Sequence, residues 1–417
     1  MVYYAIGRRT FLTGAGVAAV LTGLRLPQTF AQEDSSGTET QRRIGDVIHS
    51  YEEQGFHRTG TAVDQLSGDW LIGQVRQIGL EPMREEWSLS RVDPIDASLI
   101  ANGRKVEGLP LFDGGFTASA GIPGRLGNLD SDAPIGLTEI PPNAAEAGAL
   151  GDARRQNRHQ AIVVVTRGVR PGFCASNADS FLRPFGPPVL QVTSEEAPFL
   201  VNCARQGLDA LLTTHVQRTQ AQAFNVTAVV SGSNRSIAPL VVMTPRSGWW
   251  SCASERGGGL ACWLEIMRTL RDARPARDVL FVASSGHEIG YRGIEVFIER
   301  RPGIVTAAKA WLHLGANIGA AQGPGNRLQA SDDEMESTMT EAMANAGLRI
   351  DRRVPRGTVA GGEAGNVHRG GGRYMSIIGT NDLFHNPKDR GPEAVDLKVI
   401  ERFASAFAMV TKSLAGA

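Results

Sequence analysis

Apolar positions recur first at helical spacing and then at strand spacing. Ile44, Val47 and Ile48 mark one face of an amphipathic segment running from Thr40 towards Trp70, and His57-Arg58-Thr59-Gly60-Thr61 interrupts it as a loop. From Asp64 to Leu80 the helical period resumes, with Trp70, Leu71, Val75 and Ile78 apolar and Gly79 as a stop. Glu81 to Leu89 reads as a strand. Between Ala97 and Gln222 short β-like runs (Ala97–Ile100, Ala161–Val165, Val189–Val192, Ala210–Thr213) alternate with Gly/Pro turns, and Ser194 to Cys203 reads as a helix opened by a serine cap. Beyond Phe224 the apolar strands Leu240–Met243, Val279–Ala283, Ala307–Leu314 and Tyr374–Ile378 alternate with amphipathic helices. These helices span Gly258–Arg271, Arg292–Arg301, Asp332–Ala346 and Glu393–Leu414. The pattern predicts an α/β fold, a mostly parallel core sheet sandwiched by helices, with a β-rich insert. Chemistry in such sheets gathers in the loops that follow the carboxyl ends of the strands.

The N-terminus reads differently. Gly7-Arg8-Arg9-Thr10-Phe11-Leu12-Thr13 precedes an apolar stretch from Gly14 to Leu24, and Thr29-Phe30-Ala31 offers a small-x-small cleavage site. This resembles a twin-arginine export signal, too short and too weakly apolar to span a bilayer comfortably. An uncleaved N-terminal anchor, the only membrane contact the sequence suggests, is the other reading. The expected organisation is a signal at 1–31, a first part of the main domain at 32–96, an insert at 97–222 and the main α/β domain at 223–417, with a periplasmic or extracellular destination. Balanced charge, 43 basic against 43 acidic residues, argues against a nucleic-acid partner. Four cysteines in 417 residues make no disulfide scaffold, although Cys174 and Cys203 are candidates to pair after export, and Cys262 falls in a helix core.

The strand-end loops carry motifs in a recognisable order. Phe281-Val-Ala-Ser-Ser-Gly-His-Glu-Ile-Gly290, with Gly293 following, is similar to the FxAxxxEExGxxG signature of the zinc aminopeptidases of metallopeptidase family 28. Phe384-His-Asn-Pro-Lys-Asp389 resembles that family's YHTPxD, and His57-Arg-Thr-Gly60 with Asp64, Trp70 and Gly79-Leu80 resembles its N-terminal helix region. Residues 97–222 resemble the protease-associated domain that such peptidases carry as an insert. The resemblance implies a zinc-exopeptidase-like fold and a peptide or small-molecule amide as substrate or ligand.

The resemblance also implies two zinc ions, and here the residues depart from it. The family's His and Asp after the first strand fall on Pro245 and Ser247, its bridging Asp on Glu255, its general-base Glu on His287 and a later Asp on Gly315. Its zinc-binding Glu and last His remain as Glu288 and His385. No cofactor is therefore the expectation, with a single rearranged zinc on Glu255, Glu288 and His385 as the alternative, His287 and His313 being replacement nitrogens. Arg246 and Arg256, absent from the family pattern, are candidates to supply the missing positive charge.

For catalysis, Cys252 and Ser254 are candidate nucleophiles beside His287 as base and Glu288 as its orienting group. Cys252 equally fits a small buried hydrophobe and the serines fit helix caps. Trp249, Trp250 and Arg246 are candidate substrate contacts, the tryptophans otherwise packing a domain junction; Glu363 and Arg369 lie in a glycine-rich loop that borders the family's substrate site. Three functions fit: an exported hydrolase of amide or peptide bonds with a remodelled site, a non-catalytic pseudo-peptidase, and a single-zinc aminopeptidase. The first is the leading expectation.

Overall fold

Strands and helices alternate as the apolar pattern predicts across residues 37–417, which the computed structural model of the chain describes. The export-signal reading lies outside the described residues. Helices α1 (Glu39–Glu52) and α2 (Ala62–Gln77) open the fold, α2 starting where the Thr61 hydroxyl accepts from the Asp64 amide. The strands are β1 (Pro82–Ala101), β2 (Arg104–Glu107), β3 (Leu109–Pro110), β4 (Ile122–Asn128), β5 (Ile135–Ile140), β6 (Ala161–Thr166), β7 (Val189–Val192), β8 (Asp209–Val230), β9 (Leu240–Pro245), β10 (Val279–Ser284), β11 (Ala310–Leu314), β12 (Gly325–Ala330), β13 (Arg352–Arg353) and β14 (Tyr374–Thr380). The later helices are α3 (Gly148–Gln156), α4 (Ala197–Gln206), α5 (Gly258–Ala273), α6 (Arg292–Glu299), α7 (Ile304–Ala307), α8 (Asp333–Asn345), α9 (Ala364–Arg369) and α10 (Leu397–Ala415).

At the centre, β14, β11, β9 and β10 run parallel, flanked by antiparallel β12 on one side and antiparallel β8 on the other. Period-two alternation inside an all-apolar strand explains why both faces are covered. Leu240 and Val242 pack with residues of α5 and α10, whereas Val241 and Met243 pack with residues of α6 and α9. The parallel strands end together, so the loops after Pro245, Ser284 and Leu314 converge.

Two differences from the sequence reading concern the insert. Glu81–Leu89 and Ala97–Ile100 belong to one strand, β1, which pairs with β8 from Pro82↔Ala228 to Ala101↔Ala210 with one irregularity between Pro94 and Asp96. Residues 97 and 222 therefore sit inside strands, not in linkers. The middle of this ribbon is polar (Arg91, Asp93, Arg218, Gln220) and only half covered, which hides it from an apolar-run search. At its far end, β4, β5, β6 and β7 with α3 and α4 enclose cores of their own around Val163, Leu190 and Leu200 and around Ile162 and Leu150. Cys174 and Cys203 are both free and buried; Cys203 packs in the first of these cores, while Cys174 lies beside Asn386.

A return loop of the insert closes over the strand ends. The Ala178 amide donates to the Glu288 carbonyl at 2.9 Å, and the His385 ring nitrogen Nδ1 meets the Ala175 carbonyl at 2.6 Å. Among the described residues no helix is long and apolar enough to cross a membrane.

Candidate functional site

Arg246 leaves the end of β9 and turns inward, entirely buried. Its Nη1 donates to Asp64 Oδ1 at 2.8 Å and to the Asp64 carbonyl at 2.9 Å, and its Nη2 to the Phe224 carbonyl at 2.6 Å. Gly68 of α2 makes room: a Cβ there would stand 2.2 Å from the Phe224 ring and 3.0 Å from Arg246 Nη2. Burial pushes the Asp64 carboxyl up, against the downward pull of Arg246.

The second ion pair lies where the resemblance placed a bridging metal ligand. After Cys252, whose backbone is left-handed at φ 54°, residues Ala253–Gly257 form a π-helical turn that leads into α5. This turn aims the amides of Ser254 and Glu255 at Asp389, at 3.0 and 2.9 Å. Arg256 Nη2 stands 2.7 Å from Glu255 Oε1, and His385 Nε2 stands 3.3 Å from the same oxygen. Arg256 Nε also donates to the Ser247 carbonyl at 2.6 Å. Desolvation alone would raise the Glu255 carboxyl, but Arg256, His385 and the Cys252 thiol outweigh it and hold it down at about 2.

Glu288 is also occupied. Its Oε1 accepts from the Thr59 amide at 2.6 Å and its Oε2 from the Ser247 hydroxyl at 2.7 Å. Ser247 in turn accepts from the amides of Gly286 and His287, at 2.8 and 3.1 Å. The serine in the family's aspartate position thus ties two strand-end loops together.

Beyond this network lies a polar group that is less fully paired. His287 Nδ1 is 3.6 Å from Glu363 Oε1, which accepts a short hydrogen bond from the Ser284 hydroxyl. His313 bonds Ser376 through Nδ1 at 2.8 Å. His287 Nδ1, His313 Nε2 and Glu363 Oε2 are buried without a hydrogen-bond partner. Burial lifts the Glu363 carboxyl to about 7. Burial first, then the charges of Arg256, His313 and His385, push the His287 imidazole well below its ordinary value.

The predicted residues therefore separate into two groups. Glu255, Arg256, Glu288 and His385 come together, as do His287 and Glu363. Cys252 and Ser254 do not reach His287: the Cys252 thiol donates to Glu255 Oε2 at 3.6 Å, and the Ser254 hydroxyl accepts from Asn381 Nδ2 at 2.8 Å. Burial, and then Glu255, push the Cys252 thiol far up, so it is no thiolate. Trp249 and Trp250 are packed and not pocket-lining. Trp249 Nε1 donates to Asn177 at 3.0 Å with its ring on Phe112, and Trp250 Nε1 donates to the His385 carbonyl at 2.6 Å with its ring against Phe56 and Phe173. Arg369 is exposed, on α9. Sequence reasoning missed Thr59 and Ser284; Thr59 falls within the quoted His57–Gly60 run, but a ligand made by a backbone amide leaves no side-chain signature.

These donors do not fit a zinc centre. Pro245 and Gly315 offer no ligand atom, both Glu288 oxygens already accept hydrogen bonds, and the Arg256 guanidinium stands 2.7 Å from Glu255 Oε1, an ion pair by distance but not a hydrogen bond in geometry. Among the described residues the group whose ligand atoms converge as a metal would need is His49, Glu52 and Glu53 at the C-terminal end of α1, with Glu52 drawn off to the Gly391 amide at 2.7 Å.

No family model matches the sequence, and neither does any curated protein. Solved structures do match the fold. BSAP, a zinc aminopeptidase from Bacillus subtilis, superposes with TM-score 0.73 at 14% identity, covering 90% of this chain and 94% of that one. A peptidase M28 precursor from Shewanella amazonensis gives 0.68 at 12% identity over 90% and 96% of the two chains. The aminopeptidase of an Aneurinibacillus strain gives 0.67 at 12% identity over 90% and 94%. At these identities the likeness is one of architecture: the chain has the α/β fold on which zinc aminopeptidases are built.

Proposed function

We propose that the chain is an exported peptidase-like protein that binds a peptide or other amide-bearing ligand and has given up two-metal hydrolysis. The buried Arg256–Glu255 pair, 2.7 Å apart, carries this reading. A guanidinium supplies the positive charge that the fold's metal ligands otherwise share with zinc, and it activates no water. The nucleophile-and-base alternative loses support from the same geometry, because neither Cys252 nor Ser254 is hydrogen-bonded to His287 among the described residues. A base must also hold a proton, and burial first, then the positive charges around His287, weaken its hold.

A second reading, metal-free hydrolysis by His287 with Glu363, is favoured by one observation: their 3.6 Å approach beside a carboxyl held at about 7. One experiment separates the two. Aminoacyl, peptidyl and ester substrates are offered to wild type and to His287→Ala. The binding reading predicts no turnover in either form. Turnover in wild type that falls by about 100-fold or more in His287→Ala would replace it with the hydrolase.

A further inference from the structure

A cavity of about 530 Å³ opens between the insert's return loop, α6 and α9, a size that suits a ligand of dipeptide dimensions. Its floor is the turn that follows His287: Gly290 has φ 82° and is backed so closely by the Asp179 carbonyl that a Cβ would stand 2.5 Å from it. Tyr291 follows with φ 63°, a left-handed backbone that a non-glycine residue rarely adopts. The tyrosine ring lies edge-on to the His287 ring, centroids 4.9 Å apart.

The charges around the cavity are arranged unevenly. On α6, Arg292 is committed to Glu299 at 2.6 Å and to Glu295 at 3.3 Å. Arg183 on the return loop and Arg369 on α9 form no ion pair among the described residues; Arg369 donates to the Asn366 side-chain oxygen and lies against Gly365. Asp179, also on the cavity wall, forms no ion pair among the described residues; burial and then Glu146 push its carboxyl up, against a weaker pull from His385. Both signs of charge are thus unpaired around one space. A ligand with a single charge answers one of them; a zwitterion answers both.

Resting on the ligand-binding reading above, we propose that this cavity takes a short peptide with both termini free, its ammonium toward Asp179 and its carboxylate toward Arg183 and Arg369. Planar guanidinium groups recognise a carboxylate through paired hydrogen bonds, and an unpaired aspartate is the matching acceptor for an ammonium. The side chains of such a peptide lie over Ile289 and Ile298, which also line the space.

Titration calorimetry on the mature chain tests this with glycyl-leucine, its N-acetyl form and its C-terminal amide. The expected result is binding of the free dipeptide, weakened about tenfold or more by either cap. Asp179→Asn should then remove the preference for the free amine, and Arg369→Ala the preference for the free carboxylate. Equal binding of free and capped forms, or binding untouched by both substitutions, overturns the placement while leaving a binding cleft standing. Absence of binding by all three probes overturns the placement and the binding reading together.

Discussion

Replacing Arg256 by methionine is expected to destabilise the protein by about 3–5 kcal/mol, because the substitution strands the Glu255 carboxylate in the interior. Glu255 is 1% exposed, and His385 at 3.3 Å is the remaining group able to carry a countercharge. The double substitution Glu255→Gln with Arg256→Met removes the charge together with its partner and should recover most of the loss. Urea unfolding at neutral pH measures both, read from the shift in midpoint at constant slope. The deficit of the single variant should also narrow in acid. In the wild type the folded Glu255 carboxyl titrates at about 2 against an ordinary 4.5, so the pair's contribution is complete above 4.5 and lost as the pH falls towards 2. A variant as stable as wild type would mean that the guanidinium is incidental.

The second large effect has the opposite sign with pH. Burial holds the folded Glu363 carboxyl at about 7, above its ordinary 4.5, so the folded state binds that proton more tightly than the unfolded chain does. Its neutral form favours folding below pH 4.5, and this contribution drains away as the pH rises to about 7. At roughly 1.4 kcal/mol per pH unit the loss is about 3 kcal/mol. Glu363→Gln still accepts from Ser284 and cannot ionise, so it should match wild type near pH 4.5 and exceed it by about 3 kcal/mol at pH 8. Unfolding curves at the two pH values decide it. A difference that does not change with pH would show that Glu363 is ionised at little cost in the folded protein.

The fold was legible where the apolar pattern was continuous. Leu240–Met243 and Val279–Ala283 are buried on both faces, and the sequence shows this as unbroken apolar runs. The β1–β8 ribbon was not legible as a unit, because a strand wet on one side along its middle carries no apolar run, and its two strands, ending at Ala101 and starting at Asp209, lie far apart in sequence. In the site, Pro245, Ser247 and Gly315 could be read directly as lacking the ligand atoms that the resemblance calls for. What replaced them was half visible: Arg246 and Arg256 stood out as extra cations, but Arg246's partner, Asp64, lies far away in sequence on another element. The expected contact of Cys252 and Ser254 with His287 failed for a local reason. The π-helical turn rotates both side chains towards Glu255 and Asn381, and a one-residue widening of a turn leaves no mark in composition or period.

On the reading proposed above, a resident guanidinium, and not a metal, supplies the positive charge at the strand ends. The zinc content and unfolding midpoint of the purified protein, measured with excess zinc and again with chelator, decide between guanidinium and metal. His49→Ala is included in the protein used, so that the α1 group contributes nothing. A ligand at one hundred times its dissociation constant stabilises a fold by about 2.7 kcal/mol, a shift easily seen. The expected result is no stoichiometric zinc and the same midpoint in both conditions. One or two zinc ions per chain, with a midpoint that rises with zinc and falls with chelator, would contradict it.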